Sequence, residues 1–156
     1  MKNLLTVLSI ILSLNGFSQQ NELTWHTDVN KAINLSIQEE KPLFFFFTGS
    51  DWCGWCIKLQ QQVFFKKEFK AWADKNVILV ELDFPRRKKL DPNLKKQNQQ
   101  LAQMFGVRGY PIVWFVTPVV NGQEIDLGAK RLGSQGFVHG GVNVWIDGAN
   151  KIIKQR

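Results

Sequence analysis

Cys53 and Cys56 stand three positions apart and are the only two cysteines among 156 residues. Thiols at i and i+3 on one helical turn are close enough to close a disulfide when the first occupies the loose start of the helix. At that first position the unpaired N–H groups and positive end of the helix favour thiolate over thiol. The chemistry this spacing offers is a reversible dithiol–disulfide couple. Cys53 is the expected nucleophile. Cys56, one turn further in and expected to be the more buried, is the resolving thiol. The loop that such a pair closes is too short to tie distant parts of the chain together, so it is not a structural framework.

Other chemistry finds less support. A metal centre needs more ligands than two thiols, and His26 and His139 lie far apart in sequence with neither in a ligand-spaced pair. Hydrolysis by a Cys–His pair would leave Cys56 without a purpose. Asp51, two residues before Cys53, offers a group for proton transfer, though capping the helix is the plainer role for it. The formal charge is +7 and the pI near 9.6, but no basic motif interleaved with aromatics appears, which argues against a nucleic-acid partner. The one dense cluster, Arg86-Arg87-Lys88-Lys89, reads as a solvated loop or as a contact for an acidic partner.

The elements that must position the thiols follow from periodicity. With 44% hydrophobic residues the chain can bury one domain-sized core, and twelve Phe and six Trp fill much of it. Residues 43–48 are a continuous apolar run between Pro42 and Gly49, as in a strand buried on both faces. Gly49, Ser50 and Asp51 make the turn, with Ser50 or Asp51 available to cap the cysteine helix, whose inner face continues through Leu59, Val63 and Phe64. Before this strand, residues 21–27 suggest a short edge strand. Asp28 then caps a helix burying Val29, Ala32, Ile33, Ser36 and Ile37.

After the cysteines, a short helix near residues 69–73 leads to a strand at 77–83. Asp91 and Pro92 open a helix that stops at Gly106. A third buried strand spans 112–117, and Asn121-Gly122 turns a hairpin into a strand at 124–127. Residues 133–141 read as a glycine-rich loop, and 142–153 as a closing helix. This order calls for an α/β fold, a central mixed sheet flanked by helices on both faces, with the cysteines at the carboxyl end of a central strand.

Residues 1–19 have the layout of a secretory signal peptide: a positive start at Lys2, an apolar run at 4–14 too short for a comfortable membrane span, and a small-residue end at Gly16-Phe17-Ser18. Cleavage near Ser18 or Gln19 removes one lysine and leaves +6. The alternative is an uncleaved anchor. Either places the domain, residues 20–156, in the periplasm or outside the cell, where disulfide chemistry has substrates.

The sequence resembles the thioredoxin superfamily, and in particular secreted bacterial thioredoxin-like proteins. A buried strand leads into Trp52-Cys53-Gly54-Trp55-Cys56, and Gly109-Tyr110-Pro111 precedes a later apolar strand. Trp25, Lys41-Pro42 and Asp51-Trp52 add to the likeness. The resemblance implies a thioredoxin fold, a cis Pro111 packed against the cysteines, and substrate contacts from Trp52, Gly54, Trp55, Tyr110 and Pro111, the backbone at Tyr110 pairing with an extended peptide. It further implies a protein-disulfide oxidoreductase with no cofactor beyond the cysteine pair, acting on protein thiols and disulfides and recycled by a redox partner; the chain is expected to be a monomer.

Two departures stand out. Gly54-Trp55 replaces the Gly-Pro of many thioredoxins, and Phe44 to Phe47 occupy the place, near position 46, where thioredoxins bury a carboxyl group. With no carboxylate there to help deprotonate Cys56, an efficient reductase is the less favoured reading, and direction, reductase or oxidase, is open. A binding adaptor on the same fold and a thiol-based metal carrier are the competing readings.

Overall fold

A computed structural model describes residues 23–155; the segment read as a signal peptide lies outside them. The central sheet has the order β2-β1-β3-β6. Its inner strand β1, Leu43–Thr48, is buried at every residue, as a run without polar alternation requires. β2, Ile78–Asp83, pairs with it in parallel, and β3, Ile112–Val116, lies antiparallel on its other side.

Helices cover both faces. On one, Phe44 and Phe46 of β1 pack with the cysteine helix α2, Gly54–Leu59, the π-helical turn Gln60–Phe64, α3, Lys67–Asn76, and α5, Gly141–Ile153. On the other, Phe45 and Phe47 meet α1, Val29–Glu39, and α4, Pro92–Met104. The alternation of a strand thus splits four consecutive phenylalanines between two cores. Both outer helices begin on an aspartate, Asp28 and Asp91, whose carboxylate accepts two backbone N–H groups of the first turn.

Four expectations change. The edge strand at 21–27 shrinks to one bridge at His26, which exchanges backbone hydrogen bonds with Leu79 and Glu81 of β2 before α1 begins. Ile37 does not join the buried stripe of α1 and is 42% exposed. The hairpin, β4, Val119–Asn121, with β5, Glu124–Asp126, pairs only with itself and does not extend the main sheet. Its turn is shifted by one residue: Asn121 pairs with Glu124, and Gly122, at φ +63°, supplies the first central position.

The fourth change matters most to the site. Residues 133–135, read as loop, belong to β6, Arg131–Gln135, which closes the sheet against β3. Only Leu132 of this strand is buried, so the alternating pattern is too faint to see. Gly133, at φ +149°, sits where a side chain would press on Ile152 of α5, and the register with β3 shifts beside it. A glycine that reads as loop is here the device that lets the helix close on the sheet.

Phe44 is the hub of the disulfide-side core. Its ring lies 5.3 to 5.9 Å from those of Phe115, Phe64, Trp25, Trp145 and Phe69. Removing it leaves a cavity that large rigid rings cannot refill, so Phe44→Ala should lower unfolding stability by about 3–5 kcal/mol. Urea denaturation checks this; a loss below about 1 kcal/mol would mean the rings repack.

Candidate functional site

β1 ends at Thr48, and the chain turns at once into α2. Two backbone hydrogen bonds tighten the turn, from Trp52 and Cys53 N–H to the Gly49 carbonyl at 3.3 and 2.9 Å. A methyl group at Gly49 would collide with the Trp52 indole. Glycine is therefore required for close approach. Cys53 has extended backbone angles and itself caps α2, its sulfur accepting the Cys56 N–H at 3.2 Å. The two sulfurs are bonded, with Cα atoms 5.2 Å apart. Cys53 retains 6% exposure and Cys56 none.

The cap expected from Ser50 or Asp51 is thus taken by a sulfur, because both oxygen-bearing side chains are engaged elsewhere. Ser50 donates its N–H and hydroxyl to the Asp83 carboxylate at 2.8 and 2.6 Å. The Asp51 carboxylate accepts three backbone N–H groups, from Arg86, Arg87 and Lys88, at 2.9, 2.7 and 2.9 Å. It is held down to about 2, first by the Arg86 N–H, with those of Lys88 and Arg87 adding to it. So acidic a group is a poor proton acceptor. Asp51 instead fastens the basic loop that follows β2 onto the turn beside the cysteines.

That loop completes one wall. The Trp52 indole N–H donates to the Phe84 carbonyl at 2.8 Å, and its ring meets Tyr110 edge-on at 5.7 Å. The Arg86 guanidinium lies over the same indole, 3.7 Å from the ring centre. Tyr110 and Phe84 are themselves 5.3 Å apart. The Tyr110–Pro111 peptide bond is cis.

On the opposite wall, Trp55 is 53% exposed and meets Phe137 at 5.2 Å. The Lys58 ammonium stands 4.7 Å from the Trp55 ring centre and 5.4 Å from that of Phe137. Trp145 fixes the loop carrying Phe137 by donating its indole N–H to the Gly136 carbonyl at 3.0 Å. A Cβ at Gly136 would approach the Pro111 carbonyl to 3.2 Å, so this loop also abuts the proline. A side chain at Gly54 would meet nothing within 4 Å; the chain between the cysteines faces open space.

The residues singled out in the sequence, Trp52, Cys53, Gly54, Trp55, Cys56, Tyr110 and Pro111, therefore lie in or against one surface. Arg86, Phe84, Lys58 and Phe137 join it without having been singled out, except that Arg86 opens the basic cluster. On the disulfide face of the sheet, the position on β1 where the resemblance expects a carboxyl group holds the buried ring of Phe46, and the neighbouring strand carries a carboxyl of its own. Glu81 stands opposite Phe46 in register. Burial, then the Asp83 charge, pushes it above the usual carboxylate range. Among the described residues no group of three or more His, Cys, Asp or Glu is placed to hold a metal ion.

Known proteins match this arrangement. The thioredoxin-like domain model matches residues 29–129. The disulfide bond reductase DsbH of Chlamydia pneumoniae is 36% identical over 126 residues, 81% of this chain and 70% of that protein. The thioredoxin-related protein DsbJ of the same organism is 27% identical over 71% of this chain and 34% of its own length. A solved DsbH oxidoreductase superposes with a TM-score of 0.75 at 34% identity, covering 86% of this chain and 87% of that one. The chain belongs to the thioredoxin-like family.

The Asp51 geometry has a measurable consequence. Its folded value lies below the ordinary 3.8, so the fastening it provides is fully present above that pH and is lost as pH falls through about 2. Asp51→Ala should raise hydrogen exchange of the Arg86, Arg87 and Lys88 amides by about tenfold or more at mildly acid pH. Unchanged protection would show that the loop is held by something else.

Proposed function

Starting from that family, we propose that this protein is a thiol–disulfide oxidoreductase that reduces disulfides of protein clients outside the cytoplasm. The observation that carries the reading is the Cys53–Cys56 bond at the start of α2, with Cys53 keeping 6% exposure and Cys56 none. The reductase name of the relative at 36% identity supports the direction.

In the reduced protein, the Cys53 thiolate is stabilised by the Cys56 N–H that points at its sulfur. It attacks one sulfur of a client disulfide. The client S–S bond breaks, one client sulfur leaves as thiolate and takes up a proton, and a mixed disulfide with Cys53 forms. Cys56, losing its proton, attacks the Cys53 sulfur. The mixed bond breaks, the second client thiol departs, and the Cys53–Cys56 bond closes. Two electrons have passed from protein to client, and a partner thiol system must return them. Trp52, Tyr110 and Pro111 supply one wall of the client's path, Trp55 the other and Gly54 the open stretch between, with the Tyr110 backbone aligning an extended segment.

Residues 1–19 serve in this reading as the export signal and 20–156 as the working domain. No helix of the described residues is long and apolar enough to cross a membrane. N-terminal sequencing of the exported protein should find a start at or just after Ser18; an intact Met1 in the exported form would overturn the assignment.

The mechanism separates the two cysteines. Cys56→Ser should accumulate a client-linked mixed disulfide through Cys53, resolved by added dithiol and visible by non-reducing electrophoresis, while Cys53→Ser should form none. Binding of clients undiminished by loss of both thiols would instead identify an adaptor. The reduction potential of the pair, measured against glutathione, should lie on the reducing side of that couple; an oxidising value would reverse the direction.

A further inference from the structure

Two cations bracket the disulfide, each laid over a tryptophan next to a cysteine. Arg86 covers Trp52, the residue before Cys53, and Lys58 stands by Trp55, the residue before Cys56. They come from opposite sides. Arg86 follows β2, one edge of the sheet, while the ring that completes the Lys58 site, Phe137, follows β6, the other edge. β1, which leads to the cysteines, and β3, which begins just after Pro111, run between.

Neither cation belongs to the ion pairs seen among the described residues, which join Lys31 to Asp28 and Lys41 to Glu39. The carboxylates on the Arg86 side are already occupied. Asp51 takes three backbone amides, and both oxygens of Asp83 accept from Ser50. Glu81 stands opposite Phe46 in register and is partly buried, and it forms no ion pair with Arg86. Arg86 also borders a hollow of about 400 Å³ lined by Lys88, Lys89 and Lys95, with Asp83 the one carboxylate among them. An aromatic ring holds a cation in place without neutralising it, and a guanidinium over a ring keeps its in-plane N–H groups for a carboxylate.

We propose that the surface selects clients with acidic residues on both sides of the reacting cysteine, an extended segment whose carboxylates meet Arg86 and its neighbouring lysines at one end and Lys58 at the other. This rests on the oxidoreductase reading and names its substrate class. Opposite charge at the two ends raises the encounter rate and sets the client's cysteine over Cys53. The pair of tryptophans holds the cations at fixed places, so that the preference is positional and not merely a consequence of overall charge.

The test uses two disulfide-linked peptides identical except that Glu or Lys flanks each cysteine, reacted with the reduced protein. At about 0.01 M salt, where screening reaches ~30 Å, the Glu peptide should react about tenfold faster or more, and the difference should shrink at about 1 M salt, where it reaches ~3 Å. Arg86→Gln and Lys58→Gln should each cut the ratio of the two rates. Equal rates, or a faster Lys peptide, would overturn the proposal while leaving the oxidoreductase reading intact. A ratio unmoved by either substitution would remove the assignment to these side chains. Failure of both peptides to react would take away the oxidoreductase reading and the proposal with it.

Discussion

Every side chain of β1 is withdrawn from water, and its four phenylalanine rings alternate between two cores packed by different helices. A strand held in this way cannot slide by one residue without exchanging Phe44 and Phe46 for Phe45 and Phe47 against differently shaped neighbours. Because the chain has only Gly49 to Trp52 between the end of β1 and Cys53, the register of the strand sets the place of the sulfurs. Burial at the centre of the sheet is thus converted into position at its edge. The disulfide shares its core with the rings of Phe44 and Phe46.

The rest of the site is assembled by polar contacts that join distant segments to this fixed point. Asp51 gathers the backbone of 86–88, and the Trp52 indole reaches the Phe84 carbonyl, so the loop after β2 is tied to the cysteine turn twice. Trp145 performs a similar task from α5 by holding Gly136 and hence the loop with Phe137. These attachments fix the rings on which the charged ends of Arg86 and Lys58 rest.

The buried strands and capped helices were legible because each carries a local signal. The unbroken apolar run at 43–48 is such a signal, and the aspartates at 28 and 91 cap their helices because no distant donor competes for them. β6 was not legible: one buried residue and an interior glycine are what a loop would also show, and pairing with β3 supplies the missing reason. Asp51 was misread as a cap for a related cause. Its short side chain beside a helix start satisfies the local rule, and no local rule can report that three amides from 35 to 37 residues downstream compete for it.

By itself the sequence determined the dithiol spacing, the strand that leads to it, and the class of fold, since periodicity and the geometry of one helical turn depend on neighbours in the chain. The order of strands in the sheet, the sulfur that caps its own helix, and the two cations set over Trp52 and Trp55 were decided only by tertiary structure. They are contacts between segments whose meeting depends on how whole elements pack, and packing is a property of surfaces that no short stretch of residues contains.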